Sequence, residues 1–553
     1  MGVDAGLVSG LNISRARVVA IGTALSRVTG FIRTVTVLAA LGAGLLGDAY
    51  NTANVLPNAV YDLLMGGVLS AVVVPLLAAA RQEHDDEGLA YTQRLFTLSV
   101  VVLLVVTAAS VLAASVLAAP MLVSAYAHGF RGDQFAVAVL WARLFLPQIL
   151  FYGLGTLIGA ILNTRGHFAA PAWAPVLNNL IVTGVAGVFL AVTSASPSPS
   201  SITPGLVAWI GWGTTAAVAA QTLVLLPALR ASGFVVRARF DWLHTGLART
   251  VRMSAWALVY VVVNQVGLLV VTNLATAAGR QAVQEHAGHD AGYTVYVNAY
   301  QLFQLPYAIV AVSVITVLLP ALSQAAAAGR LGVVRGNVSR TLRLTGVVLV
   351  PAAGALVVLG PTLAVLLLGH GHMSTSSAAY LGLVLAAFAL GLVPFAAFQV
   401  QIRALYALGD ARSPALINAA ATTLNIVLDL VAFAVLPAGY QVLGLALGYS
   451  ASYILALAGS TWALKGHLGL VDGHHILGTH LRLLAATVPA ALAALAAVSL
   501  GTHLPFPLQG ANMVVLGLAA ALGAGLFWVA SRRLHIQEVD TVVHLILRRP
   551  TTT

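Results

Sequence analysis

The chain has 553 residues, of which 59% are hydrophobic and only 8% are charged, and it contains no cysteine. Soluble domains carry about 25% charged residues, so this composition excludes a soluble enzyme and predicts a protein that crosses a membrane many times. The lack of cysteine excludes disulfides and thiolate chemistry. The net charge of +11 does not indicate a nucleic-acid partner, because its distribution follows a membrane topology.

Apolar segments long enough to span a bilayer, which needs about 20 residues, follow one another along the whole chain. We predict fourteen of them, at 16–45, 53–80, 92–119, 136–162, 170–193, 205–229, 247–278, 295–325, 341–369, 378–408, 413–436, 441–464, 481–501 and 511–531. With the N-terminus in the cytoplasm, most of the 27 Lys and Arg residues lie on cytoplasmic flanks, as the positive-inside rule requires. The sequence therefore predicts an all-α, multi-pass protein with 14 transmembrane helices and both termini in the cytoplasm.

Two stretches of the chain repeat weakly. Leu-Pro occurs at 56–57 and again at 305–306, and "ILNTRGHFAAP", ending at Pro171, resembles "LYALGDARSP", ending at Pro414. Six spans separate the copies, so each repeat begins on the same side of the membrane. Parallel repeats of this kind predict two six-helix lobes with the transport site between them. The predicted domains are an N-lobe at 1–232, a C-lobe at 233–470, and two extra helices with a tail at 471–553.

Two arginines lie inside the first predicted span, within "SRVTGFIRTV". Arginine within a bilayer costs at least a few kcal/mol, so Arg27 and Arg33 are candidate functional residues. On an ideal helix they lie about 120° apart and about 9 Å apart along the axis. A broad aqueous cavity would accommodate both, as would a helix loosened at Thr29-Gly30; structural ion pairs or snorkelling are the alternatives. A cationic site inside a membrane suits an anion such as a phosphate headgroup.

Other intramembrane polar residues are weaker candidates. Asp48, placed at the outer end of the first helix, and Asp62, in the second, are candidate charge partners for the arginines. Gln301 and Gln304, beside Pro306, are candidate cavity residues, although hydrogen bonding between helices explains such residues equally well.

Asn425 and Asp429 lie at i, i+4 on the eleventh span, so they share a helix face. They form a candidate Na⁺ or H⁺ site, or they tie this helix to a neighbour. We find no zinc-ligand spacing, nucleotide-binding loop or HExxH motif. The sequence therefore predicts a transporter without a metal or other cofactor, energised by an ion gradient or the membrane potential.

The opening motif resembles a known family. "SRVTGFIRTVTVLAALGAGLLGDAYNTANVLPNAVYDLLMGGVLSAVVVPLLA" is similar to the start of the MurJ (MviN) family of lipid II flippases, within the multidrug/oligosaccharidyl-lipid/polysaccharide exporter superfamily. "LIGAILNTRGHFAAPAWAPVLNN", "QLPYAIVAVSVITVLLPALS" and "YALGDARSPALI" resemble later family segments in order and spacing.

The resemblance implies a flippase that moves lipid-linked peptidoglycan precursor between leaflets of the bacterial plasma membrane by alternating access. It implies that Arg27 and Arg33 meet the headgroup diphosphate and that helices thirteen and fourteen form a groove for the polyprenyl tail. The implied partners are lipid II, membrane lipids and proteins of cell-wall synthesis or its regulation, without nucleic acid.

The chain departs from many members at several positions. Tyr61, Asp62 and Gln301 stand where others carry cations, Gly66 replaces an acid, and Val271 replaces a helix-seven acid of the sodium site. The resemblance is to a variant of high-GC Gram-positive bacteria. Alternative functions are export of another polyprenyl-linked oligosaccharide and Na⁺- or H⁺-coupled drug antiport; a membrane transferase and a non-transporting scaffold are further classes.

Overall fold

The structure is a computed structural model that describes residues 4–62, 89–116, 118–193, 196–241, 255–469, 472–502 and 509–547. Every regular element in these residues is a helix, which confirms the predicted all-α class. The second half of predicted span 53–80, with Gly66, lies outside the described residues. For Tyr61, the backbone alone is described, within a helix.

The chain divides into two compact units, which we describe separately. Unit 1 comprises Met1–Arg280 and His370–Met373. Its helices are α1 (Asp4–Leu41), α2 (Leu45–Asp62), α3 (Leu89–Val116), α4 (Ala118–Tyr126), α5 (Gly132–Phe145), α6 (Gln148–Thr164), α7 (Ala169–Val192), α8 (Pro204–Leu223), α9 (Leu225–Ala231) and most of α10 (Ala255–Gln284).

Unit 2 comprises Gln281–Gly369 and Ser374–Thr553. Its helices are α11 (Tyr293–Ala327), α12 (Leu331–Leu368), α13 (Thr375–Ala389), α14 (Leu392–Ala407), α15 (Arg412–Val435), α16 (Ala438–Leu468), α17 (Gly473–Thr502), α18 (Gln509–Arg533) and α19 (Gln537–Leu547).

The two units are defined by which residues pack together in space. The predicted domains 1–232, 233–470 and 471–553 are instead defined by the sequence repeat. The boundary lies at Arg280, so the predicted seventh span, 247–278, belongs to unit 1. The repeat-based division remains a prediction.

Many of the helices are long enough to cross a membrane. Among the described residues, eleven helices have the length and apolar composition of a span, or twelve if α13 and α14 together form one. The multi-pass class is therefore confirmed, while the number fourteen remains a prediction.

The first helix ends earlier than the predicted span 16–45 does, and a tight corner joins it to the second helix. Gly42 adopts the left-handed conformation with φ 70°, which glycine reaches without a steric penalty, and α1 ends immediately before it at Leu41. The next helix begins at Leu45. Asp48 therefore lies in the first turn of α2, and the prediction that it sits at the outer end of the first helix was wrong.

The fourth and tenth predicted spans are both interrupted. Each was predicted as one continuous helix, but α5 stops at Phe145 and α6 starts at Gln148, while α13 stops at Ala389 and α14 starts at Leu392. The second pair is bent by 45°. Glycines with positive φ follow both pairs, Gly166 with φ 76° and Gly409 with φ 82°. These glycines lie 243 residues apart, the same separation as Pro171 and Pro414, which supports the sequence repeat.

Candidate functional site

The two arginines of α1 lie on an unbroken helix. Helical geometry continues from Asp4 to Leu41, so the alternative of a helix loosened at Thr29-Gly30 is not observed. The Thr29 hydroxyl donates to the carbonyl of Leu25, 2.8 Å away and one turn earlier in the same helix. Arg27 and Arg33 therefore keep the angular separation of about 120° expected for an ideal helix.

The two guanidinium groups differ in exposure. Arg27 is exposed, whereas Arg33 is partly buried. The ion pairs among the described residues include neither arginine. In the part of the chain that the structure describes, neither guanidinium therefore lies within ion-pair distance of a carboxylate.

A polar seam joins α1 to α7 beside these arginines. The Asn179 amide donates to the Ser26 carbonyl and to the Thr29 hydroxyl oxygen, both at 3.1 Å. One end of the seam is closed by Trp173, whose indole N–H donates to the Val18 carbonyl at 3.1 Å. The seam fixes α1 against α7 at two places within unit 1.

Gly22 makes the close approach of α1 to α7 possible. A Cβ atom on Gly22 would lie 2.5 Å from the ring of Trp173, whereas one on Gly30 would make an ordinary contact, 3.4 Å from the Asn179 amide nitrogen. With Ser26, these glycines form a small-xxx-small pattern, which allows helices to approach closely in a membrane. We did not identify Asn179 or Trp173 from the sequence; this spacing is the signal that points to a helix contact there.

The two predicted charge partners occupy different environments. Asp48 is only 1% exposed, in the first turn of α2, where the positive end of the helix dipole stabilises a carboxylate. Asp62 is exposed at the end of the same helix. No ion pair of the described residues joins either carboxylate to Arg27 or Arg33, so their role as charge partners is not seen in this structure and stays a prediction.

The predicted cavity glutamines lie on α11 of unit 2. Gln301 is exposed and Gln304 is partly buried, while Phe303 between them is fully buried. The Phe303 ring packs against Phe388 and Tyr449, with centroid distances of 5.7 and 6.0 Å. The aromatic contacts hold this part of α11, and the role of the glutamines in a cavity remains a prediction.

Asn425 and Asp429 share one face of α15, as their spacing predicts. The Asn425 amide donates to Asp429 Oδ1 at 2.9 Å, and Asp429 is 1% exposed. Gly448 of α16 covers the carboxylate, because a Cβ there would lie 2.8 Å from Asp429 Oδ1. This buried carboxylate beside an amide has the oxygen chemistry that hard cations prefer. Cation binding at this pair remains a prediction, and Val271 is a buried apolar residue of α10.

Comparison with known proteins shows the family. The family model described as "Lipid II flippase MurJ" matches residues 37–508. A probable lipid II flippase MurJ of Rhizobium meliloti (strain 1021) is 29% identical over 515 residues, covering 91% of each chain. The lipid II flippase MurJ of Burkholderia cenocepacia is 30% identical over 413 residues, covering 73% of this chain and 75% of the relative.

Solved structures show the same fold at low sequence identity. A structure of lipid II flippase MurJ in an inward closed conformation matches with a TM-score of 0.69 and 19% identity, covering 93% of this chain and 99% of that chain. An inward-facing multidrug resistance MATE transporter matches with a TM-score of 0.62 and 12% identity, covering 79% and 95%. With a family model that spans most of its length, the chain belongs to the MurJ lipid II flippase family.

Proposed function

We propose that this protein moves lipid II, a polyprenyl diphosphate-linked disaccharide-peptide, from the inner to the outer leaflet of the plasma membrane by alternating access. The observation that carries the proposal is the pair Arg27 and Arg33, two guanidinium groups on an apolar helix that no ion pair of the described residues includes. Guanidinium groups bind phosphate oxygens in bidentate fashion, so this pair suits a diphosphate.

The test uses vesicles that contain the purified protein and fluorescent lipid II. Protection of the headgroup from an outside reagent reports its movement between leaflets. We expect Arg27→Ala and Arg33→Ala each to slow this movement tenfold or more, since a lost hydrogen bond between charged groups costs about 1.5–3 kcal/mol. The matched control is Arg237→Ala, an exposed arginine between α9 and α10. Parent rates in both α1 variants would overturn the headgroup role.

The same vesicles separate lipid II from the alternative substrate class. Another polyprenyl-linked oligosaccharide shares the diphosphate and lacks the peptide. Competition by such a lipid at the concentration at which lipid II competes would favour the broader exporter function. A cationic drug is the wrong charge for the two arginines, so we expect no competition from it.

We further propose that Asn425 and Asp429 bind the cation that drives the cycle, Na⁺ or H⁺. The buried carboxylate and its amide neighbour support this assignment. The test imposes a Na⁺ gradient at constant pH, and then a pH gradient without Na⁺. We expect one gradient to accelerate headgroup movement and Asp429→Asn to abolish that response. Insensitivity to both gradients would contradict the proposal and leave the membrane potential, worth about 2.3 kcal/mol per charge at 100 mV.

The polyprenyl tail is proposed to lie along α17 and α18. The two helices pack on one another through Ala494 and Ala519, part of one buried apolar cluster. Their outer faces expose large apolar side chains at Leu477, Leu481, Leu484, Val488, Leu492, Val514, Leu518 and Leu522. A photoreactive group on the tail of lipid II should label these positions.

Both termini are proposed to be cytoplasmic. The chain has no cysteine, so a single cysteine introduced near either end reports its side of the membrane by reaction with an impermeant maleimide. Reaction only after the membrane is opened is the expected result.

A further inference from the structure

Asn179 holds the turn of α1 that carries Arg27. Its amide nitrogen donates to two acceptors of that turn, the Ser26 carbonyl and the Thr29 hydroxyl oxygen, at 3.1 Å each. The Thr29 hydroxyl uses its own proton on the Leu25 carbonyl, so its oxygen faces Asn179 as an acceptor. Asn179 is 7% exposed. Both of its bonds to α1 therefore require an N–H donor.

These bonds fix the rotation of α1 about its axis. Thr29 marks the face of α1 that contacts α7, and Arg33 lies about 40° from Thr29 on a helical wheel. Arg27 lies about 160° from Thr29, on the opposite side. A rotation of α1 about its axis would therefore change the direction of both guanidinium groups, Arg33 beside the seam and Arg27 opposite it. The exposure of Arg27 and the partial burial of Arg33 agree with this geometry.

A second anchor prevents the helix from pivoting around the first. The Trp173 indole donates to the Val18 carbonyl and covers Gly22. Val18 and Thr29 are eleven residues apart, or about 16 Å along the helix. Two contacts at that separation fix the direction of α1 as well as its rotation.

We propose that Asn179 is a positioning residue for the diphosphate site: its two hydrogen bonds to Ser26 and Thr29 set the rotation of α1 that presents Arg27 and Arg33 to the headgroup. The inference rests on the proposed function of the two arginines. It assigns to α7 a part in substrate binding without contact with the substrate.

Asn179→Asp is the sharpest variant, because it preserves shape while it replaces the amide donor by a carboxylate. The carboxylate would face two acceptor oxygens, so α1 should turn or separate from α7. Thr29→Val is a milder variant that keeps the shape of the side chain and removes one of the two acceptors. Asn179→Gln retains an amide donor and should restore part of the loss. Asn298→Asp is the matched control, since this buried asparagine donates to Thr294 of its own helix.

One measurement reports the rotation of α1 without any substrate. Single cysteines are introduced by Thr23→Cys, Ala24→Cys, Arg27→Cys and Val28→Cys, in a chain that otherwise lacks cysteine. These four exposed positions cover an arc of about 140° on the side of α1 opposite Thr29. The four rates of reaction with a water-soluble maleimide, ranked from fastest to slowest, report which side of α1 faces water. We expect Asn179→Asp to change the order of these rates and Asn298→Asp to leave it as in the parent. An unchanged order with Asn179→Asp overturns the inference, whatever happens to binding.

The other measurement is the affinity of the purified protein, in lipid nanodiscs, for lipid II. We expect Asn179→Asp to weaken binding about tenfold, Thr29→Val about threefold, and Asn298→Asp less than twofold. A changed labelling order with parent affinity in Asn179→Asp overturns the positioning role while the arginines keep theirs. Parent affinity in both Arg27→Ala and Arg33→Ala identifies failure of the proposed function itself, and the inference falls with it.

Should Asn179→Asp fail to insert or fold, Thr29→Val and Asn179→Gln decide the question. Weaker binding by Thr29→Val with a changed labelling order supports the inference. Parent values in both measurements with Thr29→Val contradict it.

Discussion

Unit 1 has a helix interrupted between α5 and α6, and unit 2 has one interrupted between α13 and α14. The two interruptions satisfy their backbone carbonyls in different ways. A break frees backbone carbonyls, which have no water to bond inside a bilayer. In unit 1 the break contains Pro147, and the Thr215 hydroxyl of α8 donates to the Leu144 carbonyl at 2.7 Å. In unit 2 the break contains Gly391, and the Ser450 hydroxyl of α16 donates to the Ala387 carbonyl at 2.7 Å.

The two solutions differ in how much of the surrounding structure they involve. In unit 1, Thr215 also accepts a hydrogen bond from the Gln148 amide at 2.9 Å, whereas Ser450 only donates, to the Ala387 carbonyl and, at 3.3 Å, to the Phe388 carbonyl. In unit 2, Ser450 presses directly on Gly391, where a Cβ would lie 2.7 Å from the Ser450 oxygen. Both copies of the repeat therefore place a hydroxyl at the break. Unit 1 stabilises the break by a polar network, and unit 2 stabilises it by close packing.

The largest effect should follow from filling the space at Gly391. Gly391→Ala places a Cβ 2.9 Å from the Ser450 Cα, so α16 must shift, and overpacking of this kind costs about 1–3 kcal/mol. We expect a lower thermal unfolding midpoint, measured by tryptophan fluorescence in detergent. Gly184→Ala is the control, because the space beside Gly184 is open. Equal midpoints for the two variants would refute the close-packing account of unit 2.

Removal of the Thr215 or the Ser450 hydroxyl should have an intermediate effect on the free energy of unfolding, and the effect should differ between the two. Thr215→Val removes a donor to Leu144 and an acceptor for Gln148, whereas Ser450→Ala removes one donor, whose proton is shared between the Ala387 and Phe388 carbonyls. Hydrogen bonds between membrane helices contribute about 0.6 kcal/mol on average, so Thr215→Val should destabilise about twice as much as Ser450→Ala. The free energy of unfolding in mixed micelles checks this order. Thr423→Val, whose hydroxyl bonds its own helix, is the control; a larger loss from Ser450→Ala would reverse the comparison.

The ends of the broken helices extend the comparison to groups that titrate. After α6, the Arg165 guanidinium donates to the Ser232 carbonyl at 3.2 Å and lies 5.5 Å from the centre of the Phe234 ring. After α14, Asp410 Oδ2 lies 3.0 Å from His467 Nε2. Arginine keeps its charge at every accessible pH, whereas the carboxylate does not. The contact of unit 2 is therefore the one that responds to acid.

The smallest effect concerns this response. Burial raises the pKa of Asp410, but hydrogen bonds from Ser413 and the contact with His467 outweigh burial, so its pKa lies below the ordinary value. A depressed pKa stabilises the fold above the unfolded-state pKa of about 3.9, and that contribution is lost as pH falls through the folded-state pKa. The loss should stay below about 1 kcal/mol, because His467 is 41% exposed.

The measurement compares the unfolding midpoint of the parent and of Asp410→Asn from neutral pH down to the lowest pH at which the parent remains folded. The parent should lose its advantage over Asp410→Asn at the acid end. Arg165→Gln, tested in the same series, should keep a constant difference from the parent. A constant difference for both variants would show that unit 2 has no acid-sensitive contact at this place.

The sequence alone determined the class of the protein and much of its local pattern. Apolar length, the placement of arginine and the i, i+4 spacing of Asn425 and Asp429 are local properties, so each could be read without coordinates. The opening motif, centred on Arg27 and Arg33, indicated the family for the same reason. The repeat was also visible, because its turn residues recur at a fixed separation.

Only the tertiary structure decided where helices stop and what their polar faces meet. Gly42 ends α1 early enough to move Asp48 into α2, and the breaks near Pro147 and Gly391 are held by hydroxyls from helices distant in the chain. The bond from Asn179 to Ser26 joins residues 153 positions apart. Apolar composition determines that a segment enters the membrane, and a local pattern such as Gly22-Ser26-Gly30 indicates a contact face. Which helix packs on that face depends on long-range packing.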